Sequence, residues 1–223
     1  MTSESRRLPA RVPEAVGPGG LFIAFEGGDG AGKSTQAAAV QAALESLGRT
    51  VLRTREPGGT PVGEKLRALV LEHGHGEIDA RTEALIFAAS RAAHVQQVIV
   101  PALERGEIVL CDRFIDSSVA YQGAGRGLGI DAVRDLNLWA TGEVLPDLTV
   151  LLDVDPEQGR DRRAANGEED RLESEPDDFH GRIRAAFQEL AAARPDHYLV
   201  LDGRQERSAL TKAIVARIAG MLG

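Results

Sequence analysis

A single cysteine, Cys111, stands in the whole chain, so no internal disulfide can form, and the sequence suits a reducing compartment such as the cytoplasm. No apolar run approaches the roughly 18 residues that crossing a bilayer requires, so no membrane span is expected. Residues 1–20, MTSESRRLPARVPEAVGPGG, carry arginines but no apolar segment behind them, which argues against a secretory signal. Rich in Pro, Gly and polar residues, 1–19 reads as a flexible tail ahead of a single domain spanning 20–223. Positive charge is also scarce. The formal net charge of −8 argues against a broad nucleic-acid surface. Any anion site must therefore gather its cations locally. Only three of the 26 basic residues are lysines, at 33, 65 and 212. A coding bias toward arginine accounts for most of that imbalance, and it makes Lys33 informative, because Arg and Lys are not interchangeable where a compact ammonium is needed.

What is present is ordinary globular material, 43% hydrophobic and 27% charged over 223 residues. Short apolar, β-branched runs at 21–25 (LFIAF), 50–54 (TVLRT), 107–111 (EIVLC), 148–154 (LTVLLDV) and 197–201 (HYLVL) read as buried parallel strands. Helical patterns lie between and around them, at 33–47, 62–72, 80–104, 131–140, 156–165, 176–193 and 207–222. Strands alternating with helices predict an α/β fold: a central, mostly five-stranded parallel sheet flanked by helices, with ligands at the carboxyl ends of the strands. Neither an internal repeat nor a second compositional regime is visible.

The stretch FEGGDGAGKST, residues 25–35, fits G-x-x-x-x-G-K-[ST]. It follows an apolar strand and opens a helix, as a phosphate-cradling loop must. Gly27, Gly28, Asp29, Gly30, Ala31, Gly32, Lys33, Ser34 and Thr35 are thus the candidate ATP-binding set. Lys33 would carry charge to the transferred phosphoryl group and Ser34 would offer its hydroxyl to Mg²⁺. Asp112 ends the strand EIVLCD, where a carboxylate faces Mg²⁺ or its waters; a capping or ion-paired aspartate is the other reading. Arg113 beside it suggests a second anion site. The guanine-reading N-K-x-D pattern is absent, which disfavours a GTP switch. Asp29 is the puzzle, a carboxylate in the middle of an anion-binding loop. Favour from the helix dipole is one explanation.

With TREPGGT (54–60), ALIFAASRAAH (84–94), CDRFIDSSVAYQGAGRG (111–127), LPDLTVLLDVDPE (145–157) and EEDRLESE (168–175), the chain resembles the bacterial thymidylate kinases over roughly residues 20–220. The resemblance implies a P-loop kinase fold with a mobile lid, a homodimer, and transfer of a phosphoryl group from ATP to dTMP with Mg²⁺. It further implies that Arg55, Glu56 and Pro57 lie on the dTMP side, with Arg55 gripping the acceptor phosphate bidentately. Phe87 and Arg91, four apart on one helix face, would stack on thymine and donate to its O4, which disfavours cytosine. Phe87 as plain core is the alternative. Ser118 and Gln122 match positions near base and sugar, and Tyr121 one that crowds a 2′-hydroxyl. Asp29 matches an acid that reads the 3′-hydroxyl.

Two departures from the family pattern concern the charge at the transition state. Gly30 stands where some relatives carry arginine, and Asn166 stands where some carry arginine before the lid glycine. The missing charge is therefore sought in GRDRRAANGEEDRLE, residues 159–173, among Arg160, Arg162, Arg163 and Arg171. Arg162 and Arg163 are the favoured catalytic pair and Arg171 a brace, with Arg113 next in line. No general base is required, since a phosphate monoester is largely dianionic at neutral pH. Competing readings are a kinase for another nucleotide or nucleoside, and a P-loop protein that uses ATP only as a conformational ligand.

Overall fold

The computed structural model describes residues 20–164 and 170–222, with the side chains of 161–164 outside the description. Five strands form one parallel sheet in the order β2-β3-β1-β4-β5: β1 Leu21–Glu26, β2 Val51–Arg55, β3 Ile108–Asp112, β4 Leu148–Asp153 and β5 Tyr198–Asp202. Each expected strand is present within a residue or two. The central β1 is buried along its full length and divides its side chains between two cores. Phe22 and Ala24 point to one face with Val109 and Cys111 of β3. Leu21, Ile23 and Phe25 point to the other with Ile108 and Leu110. Burial on both faces explains why these strands read as unbroken apolar runs.

The helices are α1 Lys33–Ser46, α2 Pro61–Leu71, α3 Ala80–His94, α4 Val100–Glu104, α5 Ile115–Ser118, α6 Ile130–Thr141, α7 Pro156–Ala164, α8 Asp177–Ala193 and α9 Arg207–Leu222. Local chemistry starts several of them. Thr60 caps α2 by accepting from the Gly63 N–H at 2.9 Å, and Pro61 follows at the first helical position. Asp79 caps α3 through the N–H groups of Arg81 and Thr82. The single helix expected over 80–104 is instead α3, a π-helical turn at Val95–Ile99, and α4. Pro101 has no N–H for the i→i−4 ladder, and the wider turn lies just before it. The segment 115–125, read only as a motif, forms α5 and a second π-helical stretch, Val119–Gly125.

Register carries the functional loops to one edge. Phe25 of β1 lies beside Asp112 of β3, which lies beside Arg55 of β2. The pairing runs on: Arg113 N–H donates to Phe25 O and Glu56 N–H to Asp112 O, each at 2.9 Å. The Gly-rich loop, the Asp112–Arg113 step and the Arg55–Pro57 turn therefore leave the sheet side by side, at the strands' carboxyl ends. Among the described residues no helix is long and apolar enough to cross a membrane.

Candidate active site

A cleft of about 790 Å³ opens along this edge, lined by the loop Asp29–Gln36, Arg55–Pro57, Phe87, Arg91, Asp112, Arg113, Ser118, Tyr121 and Gln122. Every residue foreseen for ATP, acceptor or metal lines it except Gly27 and Gly28, and the side chains of the foreseen catalytic pair Arg162 and Arg163 lie outside the described residues. Asn166 lies outside them as well. Arg160 pairs with Asp177 and does not line the cleft.

The loop is held by close backbone approaches. Gly30 has φ +77°, and a Cβ there would come within 2.3 Å of the Gly159 carbonyl oxygen on α7. A side chain at position 30 is thus incompatible with α7 where it sits, which gives Gly30 a packing reason. Lys33 is buried, its ammonium donating to the Gly27 and Gly28 carbonyls at 3.1 and 2.8 Å. Burial, then the neighbouring Arg113, lowers its pKa to about 8, against the pull of Asp112, Asp29 and Glu26. Ser34 Oγ donates to Asp112 Oδ2, bringing two hard oxygen ligands together where α1 begins and β3 ends. That pair fits Mg²⁺, which prefers oxygen ligands supplied by one or two side chains and completes its shell with water and phosphate.

Arg113 occupies the left-handed region at φ 68°, rare for a non-glycine residue. Its guanidinium donates to Asp29 Oδ1, to Gly27 O at 3.2 Å, to Ser117 Oγ at 3.0 Å and to Tyr121 Oη at 3.1 Å, and it lies 5.0 Å from the Tyr121 ring centre. Tyr121 Oη donates to Asp29 Oδ2 at 2.6 Å. Asp29 therefore meets a cation and a phenol directly, from within the Gly-rich loop. The carboxylate ties that loop to the segment after β3.

Arg91 is 2% exposed and nearly saturated. Nε donates to Glu56 Oε2 at 2.6 Å, Nη1 to Ser118 Oγ at 3.0 Å and to Asn137 Oδ1, and Nη2 to the Phe114 carbonyl at 2.9 Å. Four of the five guanidinium N–H groups are engaged, leaving one Nη2 hydrogen for a ligand. Glu56 also accepts on the far side from His94, whose Nε2 meets Thr54 Oγ1 at 2.6 Å. Phe87 lines the cleft and belongs to the core at once. Gln122 donates to the buried Glu83 at 2.9 Å.

Arg55 lines the cleft, but its fork is bound to Glu64 at 2.8 and 2.9 Å. That contact, with the Gly59 N–H, lowers the Glu64 pKa to about 2. Arg55 must leave Glu64, or share it, to reach a phosphate. Arg171 donates to Glu83, which also holds Arg126, and to the Val70 carbonyl at 2.9 Å, and so fastens the chain ahead of α8 to α2 and α3.

Several lining residues escaped the sequence reading. Arg67 on α2 donates to the Pro57 carbonyl at 3.1 Å, its pKa lowered by burial and then by Arg55. Gly203, Gln205, Arg207 and Leu210 close the end of the cleft beside the Gly-rich loop. Arg67 is one more arginine on an amphipathic helix, and the 203–210 stretch has no motif. Only the parallel topology, which brings the end of β5 to this edge, points to it.

The thymidylate kinase family profile matches residues 25–214. The chain is 50% identical over 204 residues to a thymidylate kinase of Cutibacterium acnes, covering 92% of this chain and 98% of the relative. It is 54% identical over 202 residues to one from Leifsonia xyli, covering 90% and 95%. In fold it resembles the solved thymidylate kinase of Ehrlichia chaffeensis, with a TM-score of 0.75 and 32% identity over 90% of this chain and all of that one. With its loop, its cleft and its five-stranded sheet, this chain belongs to the thymidylate kinase family.

Proposed function

We propose that this thymidylate kinase, which transfers the γ-phosphoryl group of ATP to dTMP to give dTDP, holds its two substrates on opposite walls of the one cleft. The observation that carries this reading is the meeting of Lys33 and Ser34 with Asp112, Arg113 and Asp29 at the strand edge. Backbone N–H groups of Gly27–Thr35 and the Lys33 ammonium take the donor phosphates. Ser34 Oγ and Asp112 hold Mg²⁺, which when bound neutralises charge on the donor phosphates.

On the other wall Phe87 stacks on thymine and the remaining Arg91 N–H donates to O4. Tyr121 lies where a 2′-hydroxyl would crowd it, and Asp29 accepts from the 3′-hydroxyl. Arg113 grips the acceptor phosphate, with Arg55 after release from Glu64. Glu56, Pro57, Ser118 and Gln122 shape that wall. The acceptor brings its own nucleophilic oxygen, so the protein aligns groups and screens charge rather than removing a proton. Arg162 and Arg163 supply transition-state charge from the lid. A homodimer is supported by exposed apolar side chains on α2, α3 and α6, and a cytoplasmic location by the one, wholly buried cysteine.

The test is ADP production in the presence of single nucleoside monophosphates. dTMP is expected to outpace dCMP and UMP. Arg91→Ala should raise the dTMP KM at least about tenfold, in line with roughly 1.5–3 kcal/mol for a hydrogen bond from a charged donor. Equal turnover of dTMP and dCMP would overturn the base-reading role.

A further inference from the structure

We infer that Glu26, the last residue of β1, is a positioning residue for phosphoryl transfer: its carboxylate locks the chain around Arg113 and thereby aims the Arg113 guanidinium. The inference rests on the reading of Arg113 as the cation on the acceptor phosphate.

Glu26 is wholly buried and does not line the cleft. Its Oε1 accepts from the Phe114 N–H at 2.8 Å and the Ser117 N–H at 3.2 Å, and its Oε2 accepts from the Ser117 hydroxyl at 2.5 Å. Two consequences follow. The first concerns the backbone. Arg113 is left-handed, a conformation that side-chain-bearing residues hold only under restraint. Its own N–H is held by the Phe25 carbonyl and the next N–H by Glu26, so the last two residues of β1 grip both sides of the strained step. The second concerns the side chain. Because the Ser117 hydroxyl donates to Glu26, its lone pairs face Arg113, whose Nη1 donates to it at 3.0 Å. A chain of hydrogen bonds thus runs from Glu26 through Ser117 to Arg113.

Nothing else caps α5 locally: Phe114, at its N-cap, offers no side-chain acceptor. An uncharged amide in place of Glu26 keeps one acceptor but sets an NH₂ group against the remaining donors.

Steady-state kinetics and thermal melts of Glu26→Gln, Arg113→Ala and the double variant test the inference. Glu26→Gln should lower kcat about tenfold or more and raise the dTMP KM, with the ATP KM within about twofold of wild type. In the Arg113→Ala background the same substitution should cost almost nothing further, because its route to the substrate is gone. A Glu26→Gln enzyme with a lowered melting temperature but normal kcat would reduce Glu26 to a helix cap and overturn the inference. So would an equal loss in both backgrounds. Wild-type kcat in Arg113→Ala would sink the Arg113 reading itself, and the inference with it. Should Glu26→Gln fail to fold, Ser117→Ala decides. It cuts only the hydroxyl link and should lower kcat about threefold or more with little change in melting temperature; unchanged kcat would overturn the inference.

Discussion

Glu26 gives up all contact with water on folding, and its carboxyl rises from 4.5 to about 7, first because burial penalises its charge and next because Asp116 lies close. Hydrogen bonds from Ser117 and Phe114 and the charge of Arg113 pull the other way. The charge of Glu26 in turn pulls up the pKa of Lys33 on α1, of the Cys111 thiol on β3 and of Tyr198 on β5. Arg194 and His197 line the small hollow beside it. A folded pKa above the unfolded one means that the native state binds more protons between those two values. Stability therefore falls as pH rises from about 4.5 to about 7 and levels off above that. Glu26→Gln removes this contribution, so the melting temperature of wild type should drop relative to that variant across pH 5 to 7.5. A gap independent of pH would show that Glu26 titrates as an ordinary carboxylate. At the same scale, motif reading has a clear boundary. Asp29 was visible in its loop, but its partners Arg113 and Tyr121 lie 84 and 92 positions away. No local pattern encodes those contacts. Arg91 was visible too, whereas its engagement by Asn137 of α6 was not, since Asn137 sits in an unremarkable amphipathic helix.

Elements whose stability is local or purely apolar were legible; elements completed from a distance were not. The central strands β1, β3 and β4 announced themselves as short apolar runs because both of their faces are covered, whereas the edge strands β2 and β5 are only half-buried. Helices α2 and α3 have their caps, Thr60 and Asp79, in the adjoining sequence. The short α5 has its acceptor 88 residues upstream in Glu26, so nothing nearby marked its start. The close fit of the Gly-rich loop against α7 was equally hidden, since a Gly-to-Gly approach leaves no side-chain signal. It makes a test available. Gly30→Ala places a Cβ 2.3 Å from the Gly159 carbonyl oxygen at φ +77°. The conformational part alone costs about 1–2 kcal/mol. The variant should melt lower, and backbone amides of α7 should exchange faster with solvent as that helix is pushed away. Wild-type melting and wild-type exchange in α7 would mean that the loop and α7 do not keep this contact in solution.

On the scale of the whole molecule, α3 links the cleft to the surface. It packs beside α2 and α6. Phe87 and Arg91 occupy its buried side, while Leu85 is 57% exposed. On the flanking helices Val62 and Leu69 of α2 and Trp139 of α6, the lone tryptophan, are exposed as well, Trp139 by 69%. Single exposed apolar side chains are common on monomers, but several on three adjoining helices mark a surface suited to a second copy. Such a contact would brace α3 from behind, against the side that holds the acceptor. Leu85→Glu with Trp139→Glu sets a charge at the centre of that surface, with neither residue in the cleft. Light scattering should then find a species near 23.8 kDa, against an expected wild-type mass of twice that; a monomeric wild type would refute the proposed dimer. Loss of the brace should raise the dTMP KM by about threefold to tenfold, the effect of slightly loosened positioning, while the ATP KM, set by the loop on the other wall, stays close to wild type. If the variant remains a dimer, the contact lies on another face. If it becomes monomeric with an unchanged dTMP KM, α3 is rigid enough alone, and the dimer serves something other than acceptor binding.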